Sequence, residues 1–262
     1  MGFAPEKYFR PARTQASVAD IPVEALGLRE TAQAFVDYCL GEERREAKRP
    51  LYSTSVNGHV ISMCARNSLI KTLFRSADSI SADGQPLVTV SRFLSRHPLP
   101  ERVATTDLFP EVARLAQEKQ VTFYLLGGTE TVNQKAEAMT LKAFPRLRIV
   151  GRRHGYFSLE DEASVCAEIA ALRPDILWVA LGAPFEQQFC LRNLDALCGV
   201  GIAKTSGGLF DFLSLEKPRA PMWMQTLGLE WLHRLSCEPG RLSWRYLTTN
   251  PHALYVILTS MR

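Results

Sequence analysis

The sequence predicts an α/β protein whose mostly parallel sheet is flanked by helices, and three observations carry that expectation. Apolar runs of strand length recur at Val121-Thr-Phe-Tyr-Leu-Leu, Leu147-Arg-Ile-Val, Asp175-Ile-Leu-Trp-Val-Ala-Leu and Gly199-Val-Gly-Ile-Ala. Helical patterns over Thr131–Phe144, Leu159–Leu172 and Pro184–Leu197 separate them. Short apolar strands alternating with amphipathic helices are the signature of βαβ units, in which helices bury both sheet faces. The third observation is composition: 262 residues, 46% hydrophobic and 22% charged, suffice for a sizeable core and exclude global disorder.

The elements follow in order. Residues 1–20 carry Pro5, Pro11 and mixed charge without periodicity, and read as a weakly ordered arm. A core over 21–213 then begins with a helix at Leu28–Leu40, which runs into the charged stretch Glu42-Glu-Arg-Arg-Glu-Ala-Lys-Arg, a solvated helix end or loop. Leu51–Asn57 reads as a strand and His59–Arg75 as one helix. After Phe212 the strands stop, which places a boundary near residue 214 and a helical appendage over 214–262. Within it, a helix starting after Pro221 sets Trp223, Leu227 and Trp231 on one side, beside Arg234. Such a stripe suits either a core contact or a lipid headgroup surface.

Charge and cysteines narrow the function classes. A net charge of +4 is too small and dispersed for a nucleic-acid partner. From Ser214 onward, six Lys/Arg face three Glu and no Asp, a local tilt that favours an anionic membrane surface or a diphosphate. The six cysteines form no C-x-x-C pair and sit among apolar neighbours, as in reduced, cytoplasmic proteins; metal-ligand spacing is missing. Met1–Ala19 has no apolar signal segment, and no run approaches a membrane span, so a soluble or peripheral protein is expected.

Ligands of a parallel sheet sit beyond the carboxyl ends of its strands. Falling there are Ser55 and Asn57, Asp83-Gly84, Gly127-Gly128-Thr129, Gly182-Ala-Pro-Phe-Glu186-Gln187 and Ser206-Gly207-Gly208. Gly127-Gly128 opens onto a helix and serves either as a tight turn or as a phosphate cradle; it lacks the full dinucleotide fingerprint. Asp83 is either a helix cap or, facing the cleft with its pKa raised by burial, a general base.

Taken in order, these stretches resemble the WecG/TagA/CpsF family of bacterial glycosyltransferases. The resemblance rests on Ser55-Val-Asn57, Ala82-Asp83-Gly84, Pro98-Leu-Pro-Glu101-Arg102-Val103 with Thr106-Asp107-Leu108, Leu126-Gly127-Gly128, Gly155-Tyr156-Phe157 and Leu181-Gly182-Ala183-Pro184. It continues through Gly207-Gly208-Leu-Phe210-Asp211-Phe212 and Arg219-Ala-Pro-Met-Trp223 to Glu230-Trp231-Leu-His-Arg234 and Glu238-Pro239. The resemblance implies a Rossmann-like core and inverting transfer of a sugar from a UDP-sugar to a polyprenyl-diphosphate-linked acceptor, at the inner face of the cytoplasmic membrane. It assigns Asp83 as general base, Ser55 and Asn57 to the donor, and Gly84, Arg102, Asp107, Gly127, Gly128, Gly182, Glu186 and Gln187 to the cleft. Arg219, Arg234, Arg241 and Arg245 would neutralise diphosphate charge, so no metal and no cofactor are expected; a homo-oligomer stays open.

Three departures accompany it. Ser55 stands where the family usually has Thr, and Thr105 where it usually has Gly. The family's Gly-x-Pro-x-Gln-Glu is here Gly182-Ala-Pro-Phe-Glu186-Gln187, which would put a negative charge where a neutral amide faces the sugar or phosphate. That exchange is the basis of a second reading, a catalytically impaired membrane-associated scaffold of a polysaccharide assembly complex.

Overall fold

The computed structural model describes residues 14–226 and 228–262. An antiparallel hairpin of β1 (Gln15–Val18) and β2 (Ile21–Glu24) comes first. The chain continues through α1 (Leu28–Leu40), α2 (Glu42–Glu46), β3 (Leu51–Val56), α3 (Gly58–Arg66), α4 (Ser68–Arg75), β4 (Ser79–Ala82), α5 (Gln85–Leu94) and α6 (Thr105–Lys119). Then come β5 (Thr122–Gly127), α7 (Glu130–Ala143), β6 (Arg148–Arg153), α8 (Glu162–Leu172), β7 (Ile176–Ala180), α9 (Phe185–Asn193), β8 (Ile202–Thr205) and α10 (Leu209–Leu213). Three helices close the chain: α11 (Met222–Thr226), α12 (Glu230–Cys237) and α13 (Pro239–Ser260). The six strands β3 to β8 form one sheet in the order β4-β3-β8-β7-β5-β6, parallel at every pairing, as expected.

Successive strand residues point to opposite sheet faces, and both faces are buried. Phe123, Leu125, Ile176 and Trp178 join the core covered by α1, α6, α7 and α10. Tyr124, Leu126, Leu177 and Val179 join the other, covered by the hairpin, α3, α4, α5, α8 and α9. Neighbouring strands β3 and β8 then part company. Val60 and Ile61 of α3 enter one core, whereas Leu209 and Phe210 of α10 enter the other. Two adjacent strands that send their chains to opposite faces open a crevice beyond their carboxyl ends. That crevice is where the candidate residues gather.

Three sequence expectations change. Residues 15–20 are not a loose arm: Ala16 and Val18 are buried, and Ser17 exchanges backbone hydrogen bonds with Arg262 (3.0 and 2.8 Å). The single helix over His59–Arg75 is two, because the Asn67 side chain accepts from the amides of Leu69 and Ile70 and starts a new one. Helices α5 and α6 add to the elements read from the sequence; α6 buries Leu108, Val112 and Ala116 at helical spacing and runs unbroken through Pro110. The helix expected after Pro221 breaks at Gly228, whose φ of +71° ends α11; Leu227 lies outside the described residues.

The tail is not uniform. No residue of α12 is buried, and Trp223 and Trp231 stay exposed, so that stripe is not a core contact. At its far end, Val256, Ile257 and Met261 belong to the same core as α3 and the hairpin. Among the described residues no helix is long and apolar enough to cross a membrane.

Candidate active site

Asp83 follows β4 directly. Its amide donates to the carbonyl of Val56 (2.8 Å), which pins it beside the end of β3. Asn57, two residues beyond Ser55, caps α3 by accepting from the Val60 amide (3.1 Å). Gly84 caps α5; a Cβ there would stand 2.9 Å from Leu87 Cδ1 and 3.3 Å from Asn57 Cα, so the two loops meet only because residue 84 lacks a side chain. Asp83 is half-buried. Burial pushes its carboxyl from the ordinary 3.8 to about 6, against the pull of Arg102, Arg234 and Lys204 and with a push from Glu230.

Lys204 has no counterpart among the residues read from the sequence. It lies in β8, fully buried, and its ammonium donates to Ser55 Oγ at 2.7 Å. Ser55 Oγ in turn lies 3.3 Å from Thr105 Oγ1, at the start of α6. Burial lowers the Lys204 pKa from 10.5 to about 8, while Asp83, Glu186 and Glu24 hold it up. The strand read from the sequence, Gly199–Ala203, stopped one residue short of it, whereas β8 runs on to Thr205.

Glu186 and Gln187 lie beneath the crevice and do not face it. Glu186 is 4% exposed, and one carboxylate oxygen accepts from the amides of Gly182 (3.2 Å) and Gly207 (2.8 Å). The carboxylate therefore ties the loop after β7 to the loop after β8. Burial raises its pKa to about 7, opposed by those hydrogen bonds and by Lys204. Gln187 donates to Glu186 (3.2 Å) and to Thr54 Oγ1 (3.2 Å), which itself bonds Thr205 Oγ1 (2.8 Å). The expectation that the Glu186–Gln187 exchange presents a charge to the ligand is corrected: the charge is spent on backbone amides.

Arg102 and Asp107 come together with Arg219 and Glu230 in a closed ring of alternating charge. Arg102 bonds Glu230 and Asp107 (3.3 Å to the latter); Arg219 bonds Asp107 (2.6 Å) and faces Glu230 (3.7 Å). The ring joins Arg102, before α6, and Asp107, in its first turn, to the residues on either side of α11. Glu230, at the head of the Glu230–Arg234 stretch, meets both arginines of the ring, as Asp107 does. Arg219 is thus paired with two carboxylates of the protein.

Gly127 and Gly128 make the tight turn. At Gly127, φ is +137° and a Cβ would stand 2.2 Å from the Ala180 carbonyl oxygen. The Gly128 amide donates to that same carbonyl (3.2 Å). The N-terminus of α7 is capped by Thr129.

Beyond β5, β7 and β8 opens a cavity of about 810 Å³, lined by His59, Gly128, Gly155, Tyr156, Ala180–Ala183, Gly207, Gly208, Phe210–Phe212, Glu216–Pro218, His233, Arg234, Cys237, Glu238 and Leu242. Arg234 stacks on Phe212, its Cζ 4.8 Å from the ring centroid. The Arg234 charge also acts on the Asp83 carboxyl, lowering its pKa against burial. Of the predicted site, Gly128, Gly182 and Arg234 line the cavity, and Ser55, Asn57, Asp83 and Gly84 cluster at the ends of β3 and β4. The side chains of Arg241 and Arg245 lie outside the described residues.

A parallel sheet that carries a carboxylate of raised pKa at the end of one strand and a cavity beyond the ends of others is a frame that suits a group-transfer enzyme. The chain belongs to the Glycosyl transferase WecG/TagA/CpsF family, whose model matches residues 16–262, and it is a glycosyltransferase. It is 29% identical over 225 residues to an N-acetylglucosaminyldiphosphoundecaprenol N-acetyl-beta-D-mannosaminyltransferase of Bacillus subtilis (strain 168), covering 86% of this chain and 85% of that one. A protein of the same description from Bacillus spizizenii (strain ATCC 23059 / NRRL B-14472 / W23) is 32% identical over 197 residues, 75% of this chain and 74% of that one.

Proposed function

We propose that this chain transfers an N-acetylhexosamine from a UDP-sugar, with inversion, to a polyprenyl-diphosphate-linked N-acetylglucosamine in bacterial surface polysaccharide assembly. The Bacillus relatives are named for mannosamine transfer to that kind of lipid-linked acceptor, which supports N-acetylmannosamine as the first donor to try. The observation that carries the reading is Asp83, half-buried at the crevice with its pKa near 6 and three cations acting on it. At neutral pH it is mostly ionised, yet basic enough to accept a proton. As the acceptor hydroxyl oxygen forms its bond to the anomeric carbon, its proton passes to Asp83. The bond from that carbon to the β-phosphate oxygen breaks, and UDP leaves with the electron pair. Attack from the face opposite the leaving group inverts the centre.

Arg234, stacked on Phe212 at the cavity wall, is the guanidinium placed to meet the leaving diphosphate, with Arg241 and Arg245 assigned to the same task from the family pattern. In this reading no divalent metal is essential. Exposed Trp223, Trp231, Trp244, Leu247, Tyr255 and Leu258, with the basic tail, support a peripheral seat on the anionic inner face of the cytoplasmic membrane. The scaffold reading loses its footing, since it rested on a charge at Glu186 that is turned into the protein.

The test is UDP release and sugar transfer with UDP-N-acetylmannosamine and a panel of other UDP-sugars, using a short-chain polyprenyl-diphospho-N-acetylglucosamine acceptor. Acceptor-dependent turnover that persists in EDTA is expected. Binding of UDP-sugars without any transfer contradicts the enzymatic reading; loss in EDTA with recovery on magnesium contradicts the metal-free one.

A further inference from the structure

Lys204 is the most unusual buried group the chemistry above leaves unused. A lysine without solvent contact is costly unless something needs its charge. Its ammonium carries protons and no lone pair, so in the 2.7 Å contact Lys204 donates and Ser55 Oγ accepts. The Ser55 hydroxyl must then point its own proton elsewhere. Among the described residues its other side-chain partner is Thr105 Oγ1, at a long 3.3 Å, while Ser55 itself is half-buried at the end of β3, beside the crevice that holds Asp83. A hydroxyl polarised by a cation behind it and weakly engaged in front is a donor awaiting a better acceptor.

We propose that Lys204 is a positioning residue that fixes Ser55 as a hydrogen-bond donor to an anionic oxygen of the donor's diphosphate. The assignment rests on the nucleotide-sugar reading above and extends it to a residue within the sheet. Charge balance alone does not account for the lysine. Glu186, its nearest buried acid on α9, already accepts from two backbone amides and Gln187. The other groups acting on Lys204 are Asp83 after β4, Glu24 of β2 and Cys190 of α9. None of them is a hydrogen-bond partner of its ammonium, and Ser55 is.

The experiment is a double-mutant cycle in UDP affinity, by calorimetry, on wild type, Lys204→Met, Ser55→Ala and the double variant. Each single change should weaken UDP binding roughly 10-fold, the scale of one hydrogen bond to a charged group, and the double variant should be no weaker than Ser55→Ala. Losses that multiply in the double variant overturn the assignment, as does unchanged affinity in Lys204→Met. Should Lys204→Met not fold, Ser55→Ala suffices. Wild-type affinity should fall from about pH 7 to about pH 9 as Lys204 loses its proton, and Ser55→Ala should lack that fall. The same fall in Ser55→Ala overturns the assignment. If wild type binds no UDP, the donor reading fails with it; if wild type binds UDP and the losses multiply, only the role of Lys204 fails.

Discussion

Two clusters of charge flank the crevice, and they are built on opposite logic. Beneath the strand ends, Asp83, Lys204 and Glu186 are drawn toward neutral pH, to about 6, 8 and 7, because burial outweighs their partners. At the joint with the α11–α12 region, Arg102, Asp107, Arg219 and Glu230 form a ring in which every charge meets its opposite. The Glu230 charge lifts the Arg102 pKa further above its ordinary value despite partial burial. Incomplete pairing makes a group able to exchange a proton; complete pairing makes it able to hold a position. The first cluster is suited to chemistry and the second to architecture.

Replacement should separate the two. Asp83→Asn is expected to cut turnover by about 10²- to 10⁴-fold, the span of a lost general base, with little change in KM. It should not cost stability. The fold favours the protonated carboxyl, and that contribution is present below 3.8 and lost as pH rises through about 6. At neutral pH Asp83→Asn should therefore melt no lower than wild type, and above it if anything. A clear drop in melting temperature would make Asp83 architectural and erase the contrast.

The next effect sharpens the boundary of the tail. Ile257→Ala, in the core shared with the hairpin, should cost about 2–5 kcal/mol in chemical denaturation, whereas the ring lies at a half-exposed joint. If Ile257→Ala is silent, the end of α13 is as detachable as the helices before it. Arg102→Ala should be smaller, about 1–3 kcal/mol, and should raise sensitivity of the α11–α12 region to proteolysis. Because the ring is partly exposed, added salt should narrow the difference between Arg102→Ala and wild type. A loss that salt leaves untouched would mean that the ring acts through packing.

Much of this was legible in the residues. Apolar runs separated by helical periods gave the parallel sheet, and the strand-end rule brought Ser55, Asn57 and Asp83 to one place. What escaped did so for physical reasons. The β1–β2 turn uses Ala19 and Asp20 at positive φ, so the usual Asn-Gly marker was missing. Lys204 lies just past the strand read over Gly199–Ala203, yet it is part of β8 and fully buried. Glu186 and Gln187 carry no sign in sequence of which way they point; only the amides of Gly182 and Gly207 settle it. Gly127-Gly128 fitted both a turn and a phosphate cradle; the structure shows the turn, with the Gly128 amide on the Ala180 carbonyl. Ser55 and Thr105, which stand out separately against the family pattern, turn out to be neighbours.

The dependence of kcat/KM on pH tests the role of Asp83 most directly, with UDP-N-acetylmannosamine and the lipid-linked acceptor as substrates. Turnover should be half its neutral value near pH 6, where the Asp83 carboxyl takes up its proton, and residual turnover in Asp83→Asn should lack that acid limb. An acid limb at the ordinary carboxylate value near 3.8, or one that survives unchanged in Asp83→Asn, would contradict the assignment of Asp83 as the base.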